Sequence, residues 1–93
     1  MHEQQTNDAR TRDGETVALG ALGWVLAEDA RAARLVALTG ITPDGLKARV
    51  QDRDFLAAVL RFLENHEPDL LACADALGIA PPALIAARQE LEG

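Results

Sequence analysis

The sequence contains no serine and no tyrosine, one cysteine (Cys73), two histidines (His2 and His66) and one lysine (Lys47) against eight arginines. Each scarcity narrows the function. A lone cysteine cannot close an internal disulfide, so nothing in the chain points to an oxidising compartment. Histidines at 2 and 66 with a cysteine at 73 match no zinc-ligand spacing, and the scattered acidic residues form no calcium loop. No glycine-rich phosphate loop occurs. Without Ser or Tyr, and with one usable His, the chain is poorly equipped for nucleophilic or acid–base chemistry. It is expected to be no enzyme, to need no cofactor and to bind no metal. Long apolar runs are also missing. The longest, Val17 to Ala27, has eleven residues, where a membrane span needs about 20. The first sixteen residues hold no apolar block, so no secretory signal is expected there. A cytoplasmic location without membrane contact follows as the expectation.

Basic residues are outnumbered, nine against fifteen acidic, for a net charge of −6 in 93 residues. Nucleic-acid affinity comes largely from Lys and Arg neutralising phosphates, so an acidic chain starts at a disadvantage there and at anionic membranes. Ala occurs eighteen times and Leu fourteen, a bias expected of a GC-rich bacterial genome.

The chain has the length of one domain. Residues 1–13 are almost wholly polar and read as a disordered tail; residues 14–93 read as a single helical domain. Apolar residues recur with helical period from Glu15 to Leu91, no segment alternates with strand period, and aromatics are limited to Trp24, Phe55 and Phe62. The fold class is all-α, a compact bundle of five to six short helices. The spacing predicts helices over 15–27, 29–39, 43–50, 53–66, 68–77 and 81–91. Asp29, Thr42 and Asp52 are suited to cap the second, third and fourth, and Pro43, Pro68 and Pro81 to open the third, fifth and sixth. The first two could be continuous, since residues 27–30 hold no strong breaker.

An internal repeat argues for a break. At an offset of 38 residues, Gly40 to Ala48 falls on Gly78 to Ala86 with five of nine positions identical. The same offset places Trp24 on Phe62 and Asp29-Ala30 on Glu67-Pro68. Each copy reads as a helix followed by a helix-turn-helix. In the turn, Gly takes the left-handed conformation, the next Ile folds back on the helix it follows, and Pro starts the next helix. Two such units are expected to pack around the first and fourth helices with an approximate two-fold relation.

A tight helical corner also looks like a DNA-binding helix-turn-helix. Its second helix must offer polar and basic side chains to bases and phosphates. The residues available are Lys47 and Arg49 in one corner and Arg88 in the other, each with carboxylates nearby. A corner serving only the fold is the plainer reading. Gly20, Gly23 and Ala27 share one face of the first helix, either packed within the domain or forming a dimer seam. Trp24 and Cys73 fall in the apolar pattern and are expected in the core. His66 precedes Cys73 by seven residues with Pro68 between them, which gives no support to a Cys–His pair and suits the end of a helix instead.

The run Ala21-Leu22-Gly23-Trp24-Val25-Leu26-Ala27-Glu28-Asp29, the segment Leu35 to Ile41, Asp54 to Leu60 with Phe62-Leu63, and the Leu-Gly-Ile turn before Pro81 together resemble a family of small alphaproteobacterial proteins, domain of unknown function 3572. The resemblance covers about residues 15–91. Members usually carry Pro after the Glu-Asp pair, where this chain has Ala30. The resemblance implies a compact helical bacterial protein and transfers no catalytic residue, cofactor or ligand. The expected function is a non-enzymatic protein-interaction or regulatory module with another protein as partner. The alternative is a DNA binder using Lys47, Arg49 and Arg88. Monomer and weak homodimer both stay open.

Overall fold

In a computed structural model of the chain, six helices follow one another: α1 (His2–Leu26), α2 (Asp29–Thr39), α3 (Pro43–Arg49), α4 (Arg53–Glu64), α5 (Glu67–Leu77) and α6 (Pro81–Glu92). The structure describes residues 14–93, and Gly14–Leu26 is the part of α1 among them. The tail expected over residues 1–13 lies outside the described residues. No strand occurs among the described residues, in keeping with the all-α reading.

The centre of the bundle is α4. Asp52 caps it, its side chain accepting from the backbone N–H groups of Asp54 and Phe55. Phe55, Val59 and Phe62 form one buried row, and Leu56, Leu60 and Leu63 another. A face that wide cannot be covered by one neighbour. It is covered by α1, through Ala18, Ala21, Leu22 and Val25, by α6 and by α5. In α6, Leu84, Ala87 and Leu91 recur at helical spacing, and the helix lies against both α4 and α1. A polar clasp holds its C-terminal end. Arg88 donates to Glu64 and to Glu92, Arg61 pairs with Glu92, and Arg53 donates to the Glu90 carbonyl at 3.0 Å.

The two corner turns share a sequence pattern but close differently. Gly40 and Gly78 both adopt left-handed conformations, at φ 69° and 71°. After Gly78 the Ile79 N–H bonds to the Ala74 carbonyl at 3.0 Å and the Gly78 N–H to that of Asp75 at 3.1 Å, a Schellman ending. After Gly40 a single bond runs from its N–H to the Val36 carbonyl at 2.7 Å. The Ile41 N–H turns instead to the Thr39 hydroxyl at 3.3 Å, while that hydroxyl donates to the Leu35 carbonyl at 2.8 Å. The threonine at position 39, where the second turn has Leu77, supplies an acceptor that replaces the Schellman bond.

Two pairs of helix starts lie 38 residues apart: α2 and α5 begin at 29 and 67, and α3 and α6 at 43 and 81. Packing does not follow that offset. While α6 sits on α1 and α4, the shorter α3 buries no residue and makes no extended contact with any helix. The reason is local. The Asp52 N–H bonds back to the Arg49 carbonyl at 2.9 Å, and Asp52 then caps α4, so α3 ends after seven residues and offers the core only Leu46, with Val50 just beyond its end.

The first two helices are separate. Their break falls at Ala27-Glu28, and Glu28, extended at φ −124° and ψ 128°, takes the N-cap position expected of Asp29. Asp29 is the first helical residue, and Glu28 makes no side-chain capping bond. What holds the elbow is Arg31. Its Nη2 donates at 2.6 Å to the Trp24 carbonyl, in the last turn of α1, which also accepts from the Ala27 N–H at 3.3 Å. Its guanidinium stacks on the Trp24 ring, and it pairs with Glu28 at 3.3 Å.

Candidate functional site

The α2 helix carries more apolar surface than the core accepts. Of Ala32, Leu35, Val36 and Leu38, only Leu35 is buried. Val36 and Leu38 project from opposite flanks of Leu35, 44% and 63% exposed. On the Val36 side, α3 and the end of α1 complete an apolar groove. Leu26, Leu35, Val36, Ile41, Thr42, Pro43 and Leu46 line a space of about 140 Å³. Leu35 forms its floor, fully enclosed, while Leu26 and Val36 stand at its mouth. Two local signals shape one wall: the left-handed Gly40 turns the chain sharply, and Thr42 caps α3 by accepting from the Gly45 N–H at 3.0 Å. The residues were identifiable as apolar in the sequence. Their gathering into a groove depends on the weak packing of α3, which periodicity does not report.

A second depression, of about 310 Å³, lies across α4 and α6. Asp54, Ala57, Ala58, Arg61 and Glu92 line it, and it is shallow and charged, its Arg61 and Glu92 paired with each other.

The three cations considered for DNA are not brought together into one surface. Lys47 and Arg49 are exposed on the last turn of α3. Arg49 donates to Asp52 at 2.9 Å and lies over the Phe55 ring at 5.5 Å. Arg88 is held between Glu64 and Glu92, and its bond to Glu64 raises its pKa further above the ordinary guanidinium value. Two of the three charges are therefore already matched by carboxylates. At the second corner α5 and α6 meet at a bend of 96°.

Trp24 is packed against the core without being enclosed by it, and Arg31 lies over its ring. Cys73 is fully buried, as its apolar surroundings in the sequence suggest. Burial pushes its thiol up to about 11, with the Arg31 charge pulling it down and Asp69 pushing it up. His66 is the residue before α5, its Nδ1 3.1 Å from an Asp69 carboxylate oxygen. A Cβ on Gly20 would stand 3.2 Å from Leu77 Cδ2, so that glycine serves close packing inside the domain; one on Gly23 would meet nothing within 4 Å. Among the described residues no three His, Cys, Asp or Glu side chains gather in an arrangement able to hold a metal ion. No single helix among them is long and apolar enough to cross a membrane; α5 and α6 reach that length and composition only as a pair, across the 96° bend.

No curated protein and no solved structure matches the chain. One family model does, over residues 11–93, described as a protein of unknown function, DUF3572. That span takes in the α1–α2 elbow, the groove and both corner turns, and the chain belongs to the DUF3572 family.

Proposed function

We propose that the protein is a non-enzymatic interaction module that docks an apolar segment of a protein partner in the groove between α1, α2 and α3. The observation that carries this reading is the placement of Val36 and Leu26, half-exposed at the mouth of a cleft whose walls are Ile41, Pro43 and Leu46. Leaving such residues in water forfeits the stabilisation that burial gives, about 25 cal/mol per Å² of apolar surface. Its volume, about 140 Å³, is close to that of apolar cavities, about 150 Å³, that accept a benzene ring. One aliphatic or aromatic side chain from an amphipathic helix fits that space, with neighbouring anchors lying over Leu26 and Val36.

The test is a binding comparison. Full-length protein is used as bait, a captured partner is purified, and its affinity is measured for wild type, Val36→Glu and Leu71→Glu. Leu71 is also half-exposed but lies on α5, outside the groove. Loss of binding in the first variant alone supports the groove. Equal binding by all three refutes it.

A second reading, DNA binding through the α5–α6 corner, is favoured by the 96° bend. The pairing of Arg88 with Glu64 and Glu92 counts against it. In that reading, association with duplex DNA falls steeply between low and moderate salt and weakens on Arg88→Ala. An absence of binding at low ionic strength dismisses it.

A further inference from the structure

Among the described residues, the outer face of α1 from Thr16 to Leu26 is apolar, uncharged and uncovered. Within Gly14–Leu26 the inner side buries Ala18, Ala21, Leu22 and Val25, while Thr16, Leu19, Gly23 and Leu26 face solvent. These four follow at intervals of three, four and three residues, the spacing of a seam between two helices. Leu19 is 45% and Leu26 37% exposed. From Thr16 to Ala27 the chain has no ionisable side chain, although its net charge is −6.

Gly23 is the feature that the isolated chain leaves unexplained. An interior helical glycine destabilises its helix relative to alanine. Gly20 has a compensating contact, because Leu77 lies where its Cβ would point; Gly23 has none within 4 Å. A glycine facing open space at the middle of an apolar stripe permits the backbone of another helix to come close.

The charge distribution indicates which helix that is. An interface built on a two-fold axis sets each surface against itself. For a chain at −6, most of the surface repels its own copy, and a face without charge over three turns is where two copies meet without that cost. At the crossing, Gly23 meets its counterpart, and Leu19 and Leu26 of each chain pack beside the pair. Carboxylates stand only at the two ends of the stripe: Glu15 two turns before Gly23, and Glu28, just past the end of α1, where it pairs with Arg31. We infer that the outer face of α1 is the seam of a homodimer whose helices cross at Gly23. Leu26 also stands at the mouth of the groove, so the two surfaces adjoin.

Sedimentation of the full chain, from roughly 1 µM to 1 mM, tests this. Wild type should pass from monomer to dimer within that range. Leu19→Glu should raise the dissociation constant by about a hundredfold or more and leave the melting temperature of the dilute protein unchanged. Gly23→Ala should act in opposite senses on the two states, raising the melting temperature of the dilute monomer and weakening the dimer about tenfold. A chain that stays monomeric throughout, or a dimer indifferent to both substitutions, overturns the inference. Leu26 borders both surfaces, so the two readings are separated by the other residues: the seam by Leu19→Glu and Gly23→Ala, the groove by partner binding to Val36→Glu.

Discussion

The guanidinium of Arg31 lies over the Trp24 ring, its Cζ 3.6 Å from the ring centre, while its Nη2 donates to the carbonyl of the same residue at 2.6 Å. One side chain thus closes the end of α1, covers the only tryptophan and fixes the direction in which α2 leaves. Its Nε is buried without a partner, a cost that the stack and the two polar contacts must offset. Lysine cannot reproduce a planar stack together with a directed bond to the carbonyl. Arg31→Lys should therefore cost about 1–2 kcal/mol, which for a domain of this size lowers the melting temperature by about 4–8 °C per kcal/mol. Trp24 emission should change in the folded state at the same time. An unchanged melting curve would mean that the elbow is set by packing alone.

Cys73 offers a reporter of opening. It is fully enclosed, and burial carries its thiol to about 11 from an ordinary 9.0. The thiolate is the reactive form, so at pH 8 a disulfide reagent should label the native protein only as fast as the core opens. Added urea should accelerate the labelling in step with unfolding. The same displacement has a consequence at high pH. Between 9 and about 11 the unfolded thiol has lost its proton while the folded one keeps it. The contribution of this residue is complete below pH 9 and declines as pH rises through that window. A Cys73→Ala protein should lose that part of the alkaline slope, and rapid native labelling at pH 8 would contradict the burial.

Much of this fold is written in short-range signals. Gly40, Gly78, Pro43, Pro81, Thr42 and Asp52 each act within a few residues, and each occupies its expected place. The wide face of α4 is equally legible, because it is a matter of period. Three features were not. The clasp of Arg88 on Glu64 joins residues 24 apart, the elbow at Ala27-Glu28 depends on Arg31 folding back by seven, and the exposure of Val36 depends on how far α3 extends. Each is decided by a neighbour that no local window contains. The groove, which is the candidate site, belongs with these, so its residues could be read in the sequence as apolar but not as a surface.

The paired turns give a test of that distinction. Both glycines have left-handed backbones and open space beside them, so alanine at either should cost about 1 kcal/mol through the backbone alone. Position 39 should separate the two. Thr39→Val removes the hydroxyl that accepts from the Ile41 N–H, leaving that donor unsatisfied at about 1–2 kcal/mol. The penalty should vanish from hydrogen-exchange protection of the turn after Gly78, which has its own Schellman bond. Slowed exchange at Ile41 in the valine variant would show that the turn had simply switched to the other closure.

Asp52 links the end of α3 to the start of α4 and titrates accordingly. Desolvation pushes its carboxyl up, but the N–H groups of Asp54 and Phe55 and the guanidinium of Arg49 outweigh it, so its pKa lies below the ordinary 3.8. A depressed carboxyl stabilises the fold above the unfolded value and loses that contribution as pH falls through the folded one. Urea midpoints measured from neutral pH downward should therefore show a component that begins to fall near pH 4. In Asp52→Asn that component should be absent. An identical acid slope in both proteins would place the pH sensitivity elsewhere among the carboxylates.

Leu35 and Val36 are adjacent in sequence and opposite in consequence, and together they separate stability from docking. Leu35 is wholly enclosed and is the one α2 side chain in the core. Truncation to alanine removes that anchor and leaves a cavity, costing about 2–5 kcal/mol, with the α2–α3 limb exchanging its amides far faster than α4. Val36, at the mouth of the groove, is 44% exposed and can be changed with little effect on the fold. Val36→Glu should unfold within about 0.5 kcal/mol of wild type, because the carboxylate reaches water. Any partner seated over Leu26 and Leu46 must then bury that charge without a counterion, and its affinity should drop by about tenfold or more. A large loss of stability in Val36→Glu would mean that the groove is closed in solution, whereas unchanged affinity in a stable Val36→Glu protein would move the docking surface elsewhere, with Leu38 on the opposite flank of α2 the next position to change.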